Sequence, residues 1–165
     1  RMIALKIYDA MKNEMALDDH ARKLLEVAAI LHDIGLFIRM DSHNLHSYYI
    51  IHNSEIFGLS KVDNTIVSEI AKYHRGKLMP QDEESFQMLP RIDRMMILKL
   101  TAILRIADAL DRGHIQKLSD LSISFGQDVL NLHAKNSTNI VLEKLALSEK
   151  AGMFESVFGY KVILS

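Results

Sequence analysis

Up to about residue 113 the apolar positions recur every three or four residues; beyond it, two short stretches alternate in steps of two. The first spacing marks helices with one buried face and the second half-buried strands. Ile3, Leu5, Ile7, Tyr8 and Met11 predict a first helix. Asp18 and Asp19 are suitable caps for a second, through Leu24, Val27, Ala28 and Leu31 to His32-Asp33, with Gly35 as its stop. Asp41-Ser42 caps a short helix from His43 to about His52. Asp63 or Asn64 caps another, through Ile66, Ile70 and Tyr73 to His74, ended by Gly76. Residues 77–91 hold both prolines and the run Asp82-Glu83-Glu84, and read as a loop. A long helix follows from about Ile92 to Gly113.

Leu121-Ser122-Ile123-Ser124-Phe125 and Val129-Leu130-Asn131-Leu132-His133 then alternate around Gly126-Gln127-Asp128, which is a hairpin pattern. A helix to about Phe158 and a last strand, Lys161-Val162-Ile163-Leu164, complete the chain. The expected fold is mainly α: a helical bundle over residues 1–115, followed by a small α+β tail (hairpin, helix, last strand) over 116–165 that packs on it.

With 165 residues, 48% hydrophobic and 25% charged, the chain suits one globular domain, or one domain with a small appendage. A formal net charge of −1 gives no global pull toward nucleic acid or an anionic membrane, so any anion site is local. The absence of cysteine excludes disulfides and thiolate metal sites. No apolar stretch reaches the ~20 residues of a membrane span, and the cytoplasm is the expected location. The chain opens on Arg1-Met2-Ile3-Ala4-Leu5, already in helical pattern and without a capping residue. It reads as a fragment of a longer protein cut inside a helix, with Met2 as initiator the alternative.

The chemistry concentrates at His32-Asp33, at the end of the apolar run Leu24–Leu31, and at Asp108, within Leu104-Arg105-Ile106-Ala107-Asp108-Ala109-Leu110. Burying a charge is costly unless it is paired or bound to metal, and imidazole with carboxylate is a ligand set for a divalent transition metal. Adjacent helical residues point about 100° apart, so one ion meets both His32 and Asp33 only where the helix is ending. Simpler readings stand beside these. His32 is favourable at the negative end of a helix dipole, and Asp108 can pair with Arg105 or Arg112, three before and four after it. His43 and His46 share one helix face, and His74 ends a helix. Arg75 and Lys77 follow His74 and, with Arg39 and Arg105, can bind phosphate or lie on a solvated surface. His20, His52, His114 and His133 read as ordinary polar positions, and Met88, Met95 and Met96 as gap-filling core or loop residues.

Four ordered blocks carry a resemblance: Ala29-Ile30-Leu31-His32-Asp33-Ile34-Gly35-Leu36; Ser42-His43-Asn44-Leu45-His46-Ser47-Tyr48; Ala71-Lys72-Tyr73-His74-Arg75-Gly76; and Leu104–His114. With the stretch 146–159, they resemble the C-terminal, HD-like part of the exopolyphosphatase/guanosine pentaphosphate phosphatase family. The resemblance covers essentially the whole chain. It implies a parent protein whose N-terminal half is an actin-like phosphatase, absent from this chain, that removes terminal phosphate from polyphosphate or pppGpp with magnesium. It also implies an HD-like helical domain contributing to homodimerisation and polyphosphate binding.

The HD pattern carries over onto His32, Asp33 and Asp108 as metal ligands, with His46 and His74 at positions that supply extra ligands, and Asp33 between ligand and catalytic base. The cofactor implied is a divalent metal: Mg, Mn, Fe or Zn. The superfamily's first histidine has no counterpart in residues 1–19, and by helix spacing would fall just before Arg1. Three functions follow as expectations. One is a regulatory and assembly module that binds polyphosphate or another phosphorylated molecule through Arg75, Lys77 and Arg105. The second is an autonomous metal-dependent HD phosphohydrolase, and the third a pure dimerisation domain whose His/Asp cluster is a relic.

Overall fold

The computed structural model describes residues 1–13, 16–76, 80–113, 118, 120–135 and 139–165. The elements run α1 (Met2–Met11), α2 (Asp19–Leu31), a 3-10 turn (Ile34–Phe37), α3 (His43–His52), α4 (Lys61–Tyr73), a second 3-10 turn (Pro80–Asp82), α5 (Glu84–Gln87), α6 (Arg91–Leu110), β1 (Leu121–Phe125), β2 (Val129–Ala134), α7 (Val141–Phe158) and β3 (Lys161–Leu164). The fold is mainly α with a small α+β C-terminal part, as the periodicity predicts. None of the described helices is long and apolar enough to cross a membrane.

The chain parts into two compact units: Arg1–Asp18 with Ala102–Ser165, and Asp19–Thr101. The first helix thus groups with the C-terminal sheet, and α6 contributes to both units. In the first unit, β1 and β2 form the expected antiparallel hairpin, with Ser122 opposite His133 and Ser124 opposite Asn131. β3 joins β2 in parallel, with Leu130 opposite Val162 and Leu132 opposite Leu164. A parallel neighbour needs a crossover connection, and α7 supplies it. Ile7, Tyr8, Ile106, Leu130, Leu132 and Phe154 are among this unit's buried core.

In the second unit α3 packs on α4 and on the turn Ile34–Phe37, and α2 packs on α4. Leu24, Leu25, Ile51, Val67, Ile70 and Leu100 are sealed from solvent. Two asparagines pin α3 and α4 at opposite ends. Asn44 Nδ2 donates to the Lys72 carbonyl at 2.7 Å, and Asn64 Nδ2 to the Ile51 carbonyl at 2.7 Å and the Ser54 carbonyl at 3.0 Å. The first clamp sets the beginning of α3 beside the end of α4.

Several boundaries differ from the sequence reading. α4 begins three residues early because Ser60 is its cap: Ser60 Oγ accepts from the Asp63 amide while Asp63 accepts from the Ser60 amide, a complete capping box. Asp63 is therefore the third helical residue and not the cap. Ser42 precedes α3 in a left-handed conformation (φ 54°) and makes no side-chain cap bond. α6 stops at Leu110, since Asp111-Arg112-Gly113 offers no apolar residue to bury and glycine weakens a helix. The loop around Pro80 and Pro90 contains the turn Pro80–Asp82 and the single helical turn α5. Gly76 (φ 89°) ends the helix as expected.

Gly35 is a correction of a different kind. It sits buried inside the turn Ile34–Phe37. A Cβ there would lie 2.0 Å from the His43 carbonyl oxygen and 2.5 Å from the Ser47 amide nitrogen. Close approach to the backbone of α3, not helix termination, requires the glycine.

Candidate metal centre

α2 ends at Leu31, so His32 and Asp33 leave the helix together in the turn that follows. That is the condition under which neighbouring side chains face one point. Asp33 is the hub. Its Oδ1 lies 3.0 Å from His43 Nε2 and 3.5 Å from His74 Nε2, and its Oδ2 lies 3.4 Å from His32 Nε2. The His32 and His74 rings meet edge to face at 4.9 Å between centroids, and His43 and His74 are tilted at 5.3 Å.

The other ring nitrogens are all engaged in the same way. Nδ1 of His32 faces the Ala29 carbonyl at 3.1 Å, Nδ1 of His43 the Met40 carbonyl at 3.0 Å, and Nδ1 of His74 the Ala71 carbonyl at 2.6 Å. A carbonyl only accepts, so these contacts call for the proton on Nδ1 of His32 and His74, three residues on from the accepting carbonyl; at His43 the Met40 carbonyl calls for the same, while Arg75 Nη1, which only donates, shares that nitrogen. The Nε2 atoms are left to face Asp33. Such a carbonyl partner fixes tautomer and ring orientation in metal-ligating histidines.

Arg75, itself exposed, places Nη1 3.0 Å from Nδ1 and 3.5 Å from Nε2 of His43. The guanidinium thus donates toward the His43 ring nitrogens and has further N–H donors that an anion can use. Side-chain exposure falls from 25% at Asp33 through 16% at His32 to 6% at His43 and 1% at His74. The cluster therefore has a wet side at Asp33 and a dry side at His74.

Among the described residues, the group of three whose ligand atoms all lie within 4.8 Å of one another is His32, Asp33 and His74. Its donors fit a divalent transition metal: two imidazole nitrogens and a carboxylate, a third imidazole against the same carboxylate, and every Nδ1 already committed. Imidazole-rich sites suit zinc or iron better than magnesium or manganese, which prefer oxygen ligands.

Neither His46 nor Asp108 is in that group of three. His46 is half-buried with its Cβ beside Gly35, outside that group. His43, its neighbour on the shared helix face, is the one that reaches Asp33. Asp108 belongs to the first unit, where the Lys150 ammonium donates to its Oδ2 across 42 residues of sequence. Arg105 is buried beside it; burial pushes the guanidinium down from its usual value, and the Asp108 charge opposes that. Lys77 lies outside the described residues, as does His114.

Sequence reasoning paired His43 with His46 but carried only His46 into the ligand set. It gave no role to Ser47, whose hydroxyl accepts from the Gly35 amide at 2.9 Å and donates to the His32 carbonyl at 2.6 Å. The spacing 43, 47, 51 of the buried face of α3 was the available signal.

The profile described as "Ppx/GppA phosphatase, domain III" matches residues 1–151. A guanosine-5'-triphosphate,3'-diphosphate pyrophosphatase of Pseudoalteromonas translucida (strain TAC 125) is 32% identical over 114 residues, 68% of this chain and 22% of that protein. A protein of the same name from Vibrio parahaemolyticus serotype O3:K6 (strain RIMD 2210633) is 31% identical over 72 residues, 44% of this chain and 14% of that one. The chain thus matches about a fifth of the length of the first relative.

Proposed function

The chain belongs to the Ppx/GppA phosphatase family, matching its domain III, and from that premise we propose that it is the phosphate-recognising, regulatory domain of a phosphohydrolase and carries a divalent transition metal at Asp33. His32, Asp33 and His74 hold the ion, with His43 beside them, and Arg75 meets phosphate oxygens next to it. The ligand class is polyphosphate or a multiply phosphorylated guanosine nucleotide, and the working state is a homodimer of the longer protein. A bound divalent metal supplies Lewis acidity, neutralising charge on a phosphoryl oxygen and making water a nucleophile near neutral pH. The residues supply the rest: three imidazoles oriented by backbone carbonyls, a carboxylate open to solvent on one side, and a guanidinium for the anion. Arg105 is buried and so less available to phosphate than the exposed Arg75.

The observation that carries this reading is the shared commitment of all three Nδ1 atoms to backbone carbonyls around a single carboxylate. Its test is elemental analysis of protein purified without a chelating column. About one equivalent of zinc or iron per chain, lost in His32→Ala, is expected; no uptake from excess ions would overturn the metal. Salt-sensitive polyphosphate binding that weakens in Arg75→Ala tests the anion.

A second reading, an autonomous metal-dependent phosphohydrolase, is favoured by the solvent-facing position of Asp33, where it can orient an attacking water. Phosphate release from polyphosphate or pppGpp by the loaded chain, abolished in Asp33→Ala, would select it over the regulatory role.

A further inference from the structure

Two residues fix the ends of the segment that carries Asp33. His32 is the last before it, and Gly35 is the second residue of the turn Ile34–Phe37 laid on α3. The His32 carbonyl accepts from Ser47 Oγ at 2.6 Å, and the Gly35 amide donates to the same Oγ at 2.9 Å. Ser47 is fully buried and sits one helical turn after His43 on the buried face of α3. One hydroxyl thus grips the chain on both sides of Asp33, from the helix that delivers His43. The hydroxyl is spent in both directions, as donor and as acceptor, so it is not itself available as a ligand.

We propose that Ser47 is the positioning residue of this centre: it fixes the His32-Asp33 pair to α3 and so holds Asp33 against His43 Nε2. The inference rests on the reading that the cluster takes a metal. Ser47 makes α3 and the His32-Asp33 turn one body, so that Asp33, His32 and His43 keep their mutual distances before any ion arrives. Partners of this kind, one step removed from the ion, alter metal affinity by roughly 10–100-fold when removed.

The experiment is titration of the 165-residue chain with zinc alone and cobalt alone, in wild type, Ser47→Ala and Ile51→Val. Affinity is read by calorimetry and site symmetry by the cobalt electronic spectrum. Ser47→Ala is expected to bind zinc roughly 10–100-fold more weakly, with a changed cobalt spectrum. Ile51→Val trims the same buried face one turn on without touching a hydrogen bond, and is expected to keep wild-type affinity and spectrum. In wild type, the Gly35 amide resonance should shift, and its hydrogen exchange should slow, in step with zinc occupancy; this measurement stands even if Ser47→Ala fails to fold. A wild type that binds metal while Ser47→Ala binds as tightly with the same spectrum, or a Gly35 amide untouched at saturation, overturns the role of Ser47 alone. A wild type that takes neither ion overturns the metal reading and this inference with it.

Discussion

Asp33 and Asp108 look alike in sequence: each is an acidic residue at the edge of, or within, an apolar helical run, and each invites a metal. The folded chain treats them differently. Asp33 stands where α2 has ended, a quarter exposed, with three imidazole nitrogens around it. Asp108 lies within α6, its side chain 13% exposed, and is met by an ammonium. An ammonium is a counter-charge to the carboxylate it meets, whereas an imidazole nitrogen can offer its lone pair to an incoming cation. The position of a carboxylate in a helix therefore says less about its chemistry than the kind of cation or donor that the rest of the fold brings to it.

The sharpest way to break this contrast is to exchange the two kinds of loss. Lys150→Met removes the ammonium from a buried carboxylate and is expected to cost about 3–5 kcal/mol in urea denaturation, with zinc uptake by the remaining folded protein unchanged. Asp33→Asn should move stability by no more than about 1 kcal/mol and abolish zinc uptake. Reversed results would assign the metal to Asp108.

Next in size is Gly35→Ala. Its Cβ meets backbone rather than a pliable side chain, so α3 or the turn has to shift. A loss of about 1–3 kcal/mol is expected, together with loss of zinc binding, read from thermal unfolding with and without the ion. A milder effect comes from the metal itself: zinc at 100 times its dissociation constant should stabilise wild type by about 2.7 kcal/mol and leave His74→Ala unmoved.

The smallest effect uses a third carboxylate as reference. Burial pushes Asp63 up, but hydrogen bonds from Ser60 and the contact with His20 outweigh it and hold the carboxyl below its ordinary 3.8. A lowered folded value means that this contribution is complete above the unfolded value and is lost as pH falls through the folded one. Asp63→Asn should flatten the stability profile in that acid window, and Ser60→Ala should cost about 1 kcal/mol; a profile that stays as steep would rule out the capping box as its source.

What the sequence made legible was local. α1, α3, the hairpin and β3 follow from period and punctuation, and the end of a helix at His32-Asp33 follows from Gly35 even though the glycine serves another purpose. The pairing of Asp108 with Lys150 was not legible, because 42 residues separate them and nothing in α7 marks Lys150 as buried. Helix spacing put His43 and His46 on one face but could not choose between them; that choice depends on where α4 ends and on the Asn44 clamp. The start of α4 was misread because a capping box places its acidic partner three residues inside the helix, where it resembles a cap.

The way each imidazole is steered has a consequence for construction. The locking carbonyl always lies three residues upstream in the same short segment, so each ring's direction is written into four consecutive residues: 29–32, 40–43 and 71–74. Segments 29–32 and 71–74 both run from alanine to histidine with different residues between, and 40–43 shares with them only the final histidine, yet each delivers the same nitrogen. The centre is therefore assembled from three interchangeable cassettes whose aim is set locally and whose meeting point is set by the helices. A designer could move one cassette to another helix end and expect its nitrogen to arrive already pointed.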